Sequence, residues 1–314
     1  MSQTTSTLPV LGTGAPVLTF DVGGTHIKAA LVDHAGSLVQ IVRHPTPVTG
    51  AGTGEAVVSA LGGLARDFRA RWPELLPAAA GLVVPGEVDE AGGIGVFAGN
   101  LGWRDFPFRD RASVSLGVPV SFGHDVRSAG EAEYRLGVAA PFRDVLFLAI
   151  GTGIAGAVFV DGRLRVGSGL AGEMGHSRVA DGPECACGGY GCLEAVASAA
   201  AIVRRYNALT GAGISGSRDL LHRVLAGDAA AEQIWDSALD SLALGLSHSV
   251  ALLDPEAIVI GGGLSQAGPA LFEPLAAKLS AILTFQHRPA LLPATLGDDA
   301  GVIGAALRAR DLTA

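Results

Sequence analysis

Short apolar runs alternate with amphipathic segments along the chain, and most runs end at glycine or at a polar turn. Residues 17–20, 27–32 and 38–42 have the length and the composition of strands. Within residues 55–72, apolar side chains recur at steps of three and four, which predicts a helix that ends at Pro73. This alternation of strand and helix patterns predicts an α/β protein.

The second half of the chain repeats the order of the first. FDVGGTHIKAALVDHAG at 20–36 and LAIGTGIAGAVFVDG at 148–162 both run through a strand, a glycine turn, a second strand, an aspartate and a turn. This weak internal repeat predicts two related halves that face each other. Segments with helical spacing follow at about 194–209, 229–252 and 270–283.

Composition and charge narrow the classes of function. The 22 Lys and Arg residues against 30 Asp and Glu give a net charge of −8, which argues against nucleic-acid and anionic-membrane partners. No apolar segment is long enough to predict a membrane-spanning helix, and residues 1–16 do not resemble a signal peptide. We therefore expect a cytoplasmic protein, in which three clustered cysteines favour a metal site over disulfides.

Two glycine-rich turns stand at matching places in the half-repeats, directly after a strand. They are Asp21-Val22-Gly23-Gly24-Thr25 and Gly151-Thr152-Gly153. Because glycine lets backbone N–H groups approach an anion closely, the pair favours phosphate binding over two ordinary tight turns. Neither is a Walker A loop or a GxGxxG turn that opens a helix, which disfavours a dinucleotide-binding fold. A third run, Gly261-Gly262-Gly263, suits either a nucleoside or a close strand–helix crossing.

Three cysteines and one histidine lie within 17 residues, in the segments GEMGH at 172–176 and CACGGYGCLE at 185–194. A Cys3His set closes a tetrahedral zinc site and leaves no open position, so we predict structural zinc rather than free thiols or a redox pair. Glu173 and Glu194 flank this set. Either they form a wall for a polyhydroxyl ligand together with the histidine, or they are solvated or support the ligands. The predicted ligands are His176, Cys185, Cys187 and Cys192.

An aspartate follows a predicted strand at the place where open α/β sheets bind ligands. The strand is 118–122, His124 and Asp125 come after it, and 128–135 reads as a helix. Asp125 is a candidate general base that takes a hydroxyl proton during phosphoryl transfer, and the alternative is an N-cap for the helix. Upstream, Asn100 lies in a polar loop and is a candidate contact for hydroxyl groups.

Together these residues resemble the ROK family of sugar kinases and sugar-responsive repressors, within the actin-like ATPase superfamily. The resemblance spans residues 17–310, and its most specific part is ExGH followed by CxCGxxGCxE. It implies an α/β fold with two actin-like (ribonuclease H-like) lobes around a central cleft. The implied divisions are a flexible tail 1–16, an N-terminal lobe 17–127 and a C-terminal lobe 128–314 with a zinc loop 176–192. The last helix is a candidate to pack back on the N-terminal lobe.

The resemblance also implies roles for the residues quoted above. ATP with Mg²⁺ is assigned to Asp21, Gly23, Gly24, Thr25, Gly151, Thr152, Gly153, Gly261, Gly262 and Gly263. Sugar hydroxyls are assigned to Asn100, His124, Asp125, Glu173, His176 and Glu194, and zinc to the Cys3His set. Asp125 is then the catalytic base for the hydroxyl that is phosphorylated, usually the one on C6. The family commonly has Asn where this chain has His124, which leaves sugar preference and pH dependence open.

The resemblance leads us to expect an ATP-dependent sugar kinase whose acceptor is glucose. N-acetylmannosamine and N-acetylglucosamine are alternative acceptors, and polyphosphate is an open alternative as donor. An alternative of another class is a non-catalytic sugar-binding regulator, against which the intact Asp21 and Asp125 argue. The chain leaves no room for a helix-turn-helix before its first strand, so no nucleic-acid partner is expected. The resemblance favours a homodimer or a homotetramer.

Overall fold

The computed structural model describes residues 9–314, and its contacts divide the chain into two compact units. The first unit comprises the described residues up to Leu136 together with Asp298–Ala314. The second unit is Gly137–Gly297. The contacts thus divide the chain after Leu136, whereas the boundary implied by the sequence lies between residues 127 and 128.

The strands are β1 Val17–Val22, β2 His26–Val32, β3 Leu38–Pro45, β4 Ala79–Val84, β5 Glu87–Asp89, β6 Ile94–Ala98, β7 Trp103–Phe106, β8 Val120–His124, β9 Val145–Ile150, β10 Ile154–Val160, β11 Arg163–Arg165, β12 Ala257–Gly261 and β13 Ala290–Pro293. The helices are α1 Thr53–Arg71, α2 Phe108–Leu116, α3 Asp125–Leu136, α4 Leu193–Ala197, α5 Ala199–Thr210, α6 Ser217–Leu225, α7 Ala229–Leu253, α8 Pro269–Ile282 and α9 Ala300–Asp311. The predicted α/β class is confirmed by this order.

Each unit is built on a five-stranded mixed sheet, and the two sheets have the same topology. The strand orders are β3-β2-β1-β4-β8 and β11-β10-β9-β12-β13. In both sheets the first three strands are antiparallel, and the last two run parallel to the central strand. The repeat recognised in the sequence corresponds to β1–β2 and β9–β10, which hold equivalent places in the two sheets.

The parallel strands of each sheet bring their carboxyl ends, and the turns that follow, to one edge. In the first unit this edge carries Asp21 near the end of β1 and Asp125 just after β8. In the second unit it carries Gly151 after β9 and Gly262 after β12. The topology therefore places the predicted base and most of the residues predicted to bind the nucleotide at the carboxyl-terminal edges of the two sheets.

Helix α9 packs within the first unit, against the sheet and against α3. A Cβ on Gly81 of β4 would lie 1.9 Å from the Ala305 carbonyl oxygen, and one on Gly304 would lie 1.9 Å from the Ser128 carbonyl oxygen. Only glycine permits approaches this close between backbones. The C-terminal helix is thereby seated on β4 and on α3.

The chain before β1 runs along the first unit from Leu11 onward. The Leu11 N–H donates to the Gly36 carbonyl at 2.9 Å, and the Arg310 guanidinium contacts the carbonyls of Gly12 and Asp33. Residues 1–8 of the expected tail lie outside the described residues. Across residues 9–314, no helix combines the length and the apolar character needed to cross a membrane.

Candidate active site and metal centre

The first glycine turn joins β1 to β2 and begins at Asp21. The Thr46 hydroxyl donates to the Gly23 carbonyl at 2.7 Å, which holds the turn against the chain that follows β3. A Cβ on Gly24 would come within 3.2 Å of the Asn100 side-chain nitrogen. The structure thus brings together a turn predicted to bind phosphate and an amide predicted to bind hydroxyl groups.

The Asp21 carboxylate lies against the first turn of α9, where a side chain would displace it. A Cβ on Gly301 would lie 2.5 Å from Asp21 Oδ2. Burial raises the pKa of Asp21 to about 6, with Lys28 opposing the shift and Asp299 adding to it. Lys28 Nζ contacts the Asp298 carbonyl and lies 4.0 Å from Asp299 Oδ1. Carboxylate oxygens are ligands that Mg²⁺ prefers, so Asp21 and its acidic neighbours fit a site for a metal-bound phosphate.

Asp125 is the first residue of α3 and follows His124, the last residue of β8. Its Oδ1 accepts the Val126 N–H at 2.7 Å and lies 3.3 Å from His124 Nδ1. The His124 side chain is 7% exposed and that of Asp125 is 27% exposed, so the acid can be reached from solvent and the ring hardly at all. Burial lowers the pKa of His124 to about 3, helped by Arg127, so the imidazole is neutral near pH 7.

The second glycine turn joins β9 to β10 and is held by a glutamate. The Gly151 N–H donates to the Gly153 carbonyl at 2.9 Å, and Glu194 Oε2 accepts the Ile154 N–H at 2.8 Å. A Cβ on Gly153 would lie 2.3 Å from Glu194 Oε2, so glycine at 153 makes room for this carboxylate. Among the described residues, no atom lies within 4 Å of a Cβ placed on Gly151, so this part of the turn is open to an incoming group.

The third glycine run lies beside the second glycine turn. Gly262 has φ +79°, and a Cβ there would lie 2.5 Å from the Ile150 carbonyl oxygen. At Gly262 the end of β12 lies close to the end of β9, which is an approach between two strands rather than the strand–helix crossing that the sequence offered as an alternative. A Cβ on Gly263 would have no described neighbour within 4 Å, so this residue leaves an open surface next to the turn at Gly151.

The Cys3His set forms a compact cluster that fits zinc. The ligand atoms of the four residues all lie within 4.8 Å of one another. His176 Nδ1 is 3.5 Å from Cys185 Sγ, and Cys187 Sγ is 3.7 Å from Cys192 Sγ. Tetrahedral zinc with ordinary bond lengths needs about 3.6 Å between nitrogen and sulfur and about 3.8 Å between sulfurs. The geometry also assigns Nδ1 as the ligand atom, which leaves Nε2 of His176 for another partner.

The loop around this cluster depends on glycine. Gly191 has φ +66°, and a Cβ there would lie 1.8 Å from the Ala180 carbonyl oxygen. The Cys185 N–H donates to the Gly189 carbonyl at 2.8 Å, which folds the cysteines toward one point. Burial raises the pKa of the Cys192 thiol to about 12, and because zinc binds thiolate, metal binding would release that proton.

Two segments that carry zinc ligands meet at Ile154, the first residue of β10. A Cβ on Gly175, in the 3-10 turn Met174–His176, would lie 2.0 Å from the Ile154 carbonyl oxygen. On the other side Glu194, two residues after Cys192, accepts the Ile154 N–H. The structure therefore brings the segment from Glu173 to His176 together with Glu194, and it places both at the end of the second glycine turn.

A buried group of charges beside Asp125 was not recognised in the sequence. Glu90, in the loop between β5 and β6, pairs with Arg127 and with Arg308 at 2.7 Å each. Arg308 also pairs with Glu131 at 2.7 Å. These residues belong to three separate segments of the chain, and none of them forms a motif. A local pattern could not have identified the group.

Comparison with known proteins agrees with this geometry. The model of the ROK family matches residues 17–311. A glucokinase of Streptomyces coelicolor is 33% identical over 93% of this chain and 96% of its own length. An N-acetylmannosamine kinase of Salmonella typhi is 32% identical over 93% of this chain and 98% of its own length. A ROK family glucokinase from Streptomyces griseus has a crystal structure in complex with glucose and AMPPNP. It matches this chain at TM-score 0.80 and 30% identity, over 95% of this chain and 100% of the glucokinase chain.

Proposed function

The chain belongs to the ROK family and is a sugar kinase, and on this premise we propose that it transfers the terminal phosphoryl group of ATP to the C6 hydroxyl of glucose. The observation that carries the proposal is Asp125, an accessible carboxylate at the carboxyl end of a parallel strand, as a general base requires. The related glucokinase solved with glucose and AMPPNP supports both the acceptor and the donor.

In the proposed mechanism, the backbone of the two glycine turns positions the triphosphate. In the first turn the Gly23 N–H donates to the His26 carbonyl at 2.9 Å, so the Gly24 N–H is the candidate phosphate donor there. In the second turn the open side of Gly151 is the candidate. Asp21 would hold Mg²⁺ through water, and the ion would supply positive charge to the phosphate oxygens. Catalysis of this type depends mainly on positioning and on charge stabilisation. The nucleoside is assigned to the open surface at Gly263.

We assign contacts with sugar hydroxyl groups to five polar side chains, those of Asn100, Asp125, Glu173, His176 and Glu194. His176 would use Nδ1 for zinc and Nε2 for a sugar hydroxyl, so the structural metal would fix the direction of a sugar contact. Asp125 would accept the hydroxyl proton as the oxygen attacks phosphorus.

A second acceptor is favoured by a specific relative. The N-acetylmannosamine kinase is nearly as similar to this chain as the glucokinase is, so an N-acetylhexosamine remains a competing substrate. The residues assigned above could contact ring hydroxyls of either sugar. The acceptor must therefore be identified by turnover.

A coupled assay of ADP release across a panel of sugars tests the proposal. The panel contains glucose, mannose, N-acetylglucosamine and N-acetylmannosamine, each with ATP and Mg²⁺ and each with polyphosphate in place of ATP. We expect the highest kcat/KM with glucose and ATP, and ³¹P NMR of the product should show a phosphate on C6. A higher kcat/KM with N-acetylmannosamine would show that this sugar, and not glucose, is the acceptor. Sugar binding by calorimetry without turnover would favour a regulator and overturn the kinase mechanism.

A further inference from the structure

Glu90 is held between two guanidinium groups beneath the start of α3. Its Oε1 accepts from Arg127 Nε and its Oε2 accepts from Arg308 Nη1, each at 2.7 Å. The Arg127 side chain is 1% exposed and the Glu90 side chain 15% exposed. Burial opposes ionisation, yet the attraction of Arg308 and of Arg127 keeps the pKa of Glu90 below its ordinary value. Removing one member of such a buried group leaves an uncompensated charge, which destabilises the folded protein.

Glu90 contacts the residues that flank Asp125 in the chain. The His124 N–H donates to Glu90 Oε1 at 3.4 Å, and the same oxygen binds the Arg127 side chain. The glutamate therefore holds the last residue of β8 and the third residue of α3, with Asp125 between them. These two contacts bracket the Asp125 backbone, which the β4–β8 pairing at His124 and the start of α3 also hold.

His124 contacts the carboxylate of Asp125 directly. Its Nδ1 lies 3.3 Å from Asp125 Oδ1 and 3.4 Å from the Arg127 backbone nitrogen. A neutral imidazole has one donor nitrogen and one acceptor nitrogen, so Nδ1 can either donate to Asp125 or accept from Arg127. Glu90 binds the side chain of Arg127, whose backbone N–H is one of the two groups that compete for His124 Nδ1.

The Arg308 side chain can reach Glu90 because the residue it passes in β8 is a glycine. A Cβ on Gly123 would lie 2.4 Å from Arg308 Nη1. Arg308 belongs to α9, and its Nε donates to Glu131 of α3 at 2.7 Å. Glu90 and Glu131 therefore share Arg308 as a partner. Glu90 also contacts Arg127 and His124, which makes the two glutamates suitable for comparison.

We propose that Glu90 is a positioning residue for Asp125, acting through His124 and Arg127 to set the direction in which the Asp125 carboxylate faces the sugar hydroxyl. This inference rests on the proposed function for the role of Asp125 as base. Glu90 itself touches neither sugar nor nucleotide in this scheme. Its contribution belongs to proton removal rather than to nucleotide binding.

Glu90→Gln and Glu131→Gln form a matched pair for the test. Both replacements keep the shape of the side chain, and both weaken an ion pair with Arg308. We expect Glu90→Gln to lower kcat with the best acceptor about ten- to a hundredfold, because small misplacements of a reacting group are costly. The KM for ATP should stay within about twofold of wild type. Glu131→Gln should lower the melting temperature similarly but leave kcat within about twofold.

A second readout does not depend on turnover. The ¹⁵N NMR shifts of the His124 imidazole report its tautomer and its hydrogen bonds. We expect them to change in Glu90→Gln and to stay at the wild-type values in Glu131→Gln. Should Glu90→Gln fail to fold, Arg127→Lys takes its place, because it keeps the positive charge and loses the Nε contact.

The outcomes separate the two proposals. A wild-type protein that phosphorylates no sugar would overturn the proposed function, and the imidazole spectra would then decide the positioning role alone. An active wild type in which both glutamine variants have the same kcat and the same His124 spectrum would overturn the role of Glu90. A loss confined to KM for ATP would also contradict it.

Discussion

Asp125 is a single carboxylate whose surroundings already define its orientation. Its Oδ1 is engaged by the Val126 N–H, and 27% of the side chain is exposed. Asp125→Asn keeps the shape and the acceptor oxygen but cannot take a proton, so we expect kcat to fall by about 10²–10⁴-fold. Steady-state kinetics with the best acceptor and ATP would measure the loss. Asp110→Asn, an exposed acid in the first turn of α2, is the control and should leave kcat unchanged. A near-normal rate in Asp125→Asn would exclude the base role.

Asp21 makes stability depend on pH in a defined direction. Its pKa in the folded protein is raised to about 6 from 3.8, chiefly by burial. The unfolded chain therefore loses this proton first, and the residue's contribution to stability falls as pH rises from about 4 through 6. Without nucleotide or Mg²⁺, Asp21→Asn should melt at a higher temperature than wild type at pH 8, and the difference should shrink toward pH 4. A difference that grows as pH falls would contradict the raised pKa.

His124 shows where residue-level prediction from sequence ends. Its place after a strand and before Asp125 could be predicted from the apolar run at 118–122. Its burial could not, because the groups around it come from residues 90 and 308 as well as from α3. The sequence assigned the ring to the sugar, whereas its 7% exposure favours contact with Asp125.

At the scale of elements, two glycines near the same strand end should respond differently to alanine. Gly151 has ordinary φ and, among described residues, no neighbour within 4 Å of an added Cβ. Gly262 has φ +79° and an added Cβ would lie 2.5 Å from Ile150 oxygen. We expect Gly151→Ala to keep the melting temperature and to weaken binding of an ATP analogue by about tenfold or more, about 1.4 kcal/mol.

Gly262→Ala, in contrast to Gly151→Ala, is expected to lower the stability of the fold. The left-handed backbone and the steric contact should cost about 1–3 kcal/mol of unfolding free energy, measured by denaturant titration. Unchanged affinity of Gly151→Ala for the ATP analogue, measured by calorimetry, would remove the second glycine turn from phosphate binding. The two variants together separate the chemical use of glycine from its structural use.

Elements defined by local pattern could be predicted, and those defined by distant partners could not. The cysteine loop was recognisable because its four ligands lie within 17 residues. The helix predicted at 194–209 is two helices, α4 and α5, since Ser198 is extended and its hydroxyl caps α5 by accepting the Ala201 N–H. Glu90 had no local signature, because its partners lie 37 and 218 positions away.

At the scale of the whole molecule, the two units share one sheet topology but carry different functional residues. The position equivalent to Asp21 in the second half-repeat is Ala149, so only the first turn has the acid that suits a metal-bound phosphate. The second unit instead carries the zinc loop, whose ligand-bearing segments hold Ile154. The expected homodimer or homotetramer stays a prediction that light scattering can test.

The zinc loop should therefore couple metal content, stability and binding of both substrates. Cys187→Ser removes one of four ligands, and we expect zinc, measured by mass spectrometry, to fall from one per chain to none. Metal binding contributes to folding, so the melting temperature should fall, and a chelator should lower it in wild type but not in the variant. Sugar affinity should drop at least about tenfold, since His176 loses its fixed direction.

Affinity for an ATP analogue should weaken as well, because Glu194 follows Cys192 closely and holds the end of the second glycine turn at Ile154. Tyr190→Phe, an exposed change within the same loop, is the matched control and should keep zinc and both affinities. A Cys187→Ser protein that lacks zinc yet binds sugar as tightly as wild type would separate the metal from the sugar site. Lost sugar affinity with intact ATP-analogue affinity would instead show that Glu194 holds the turn without the metal.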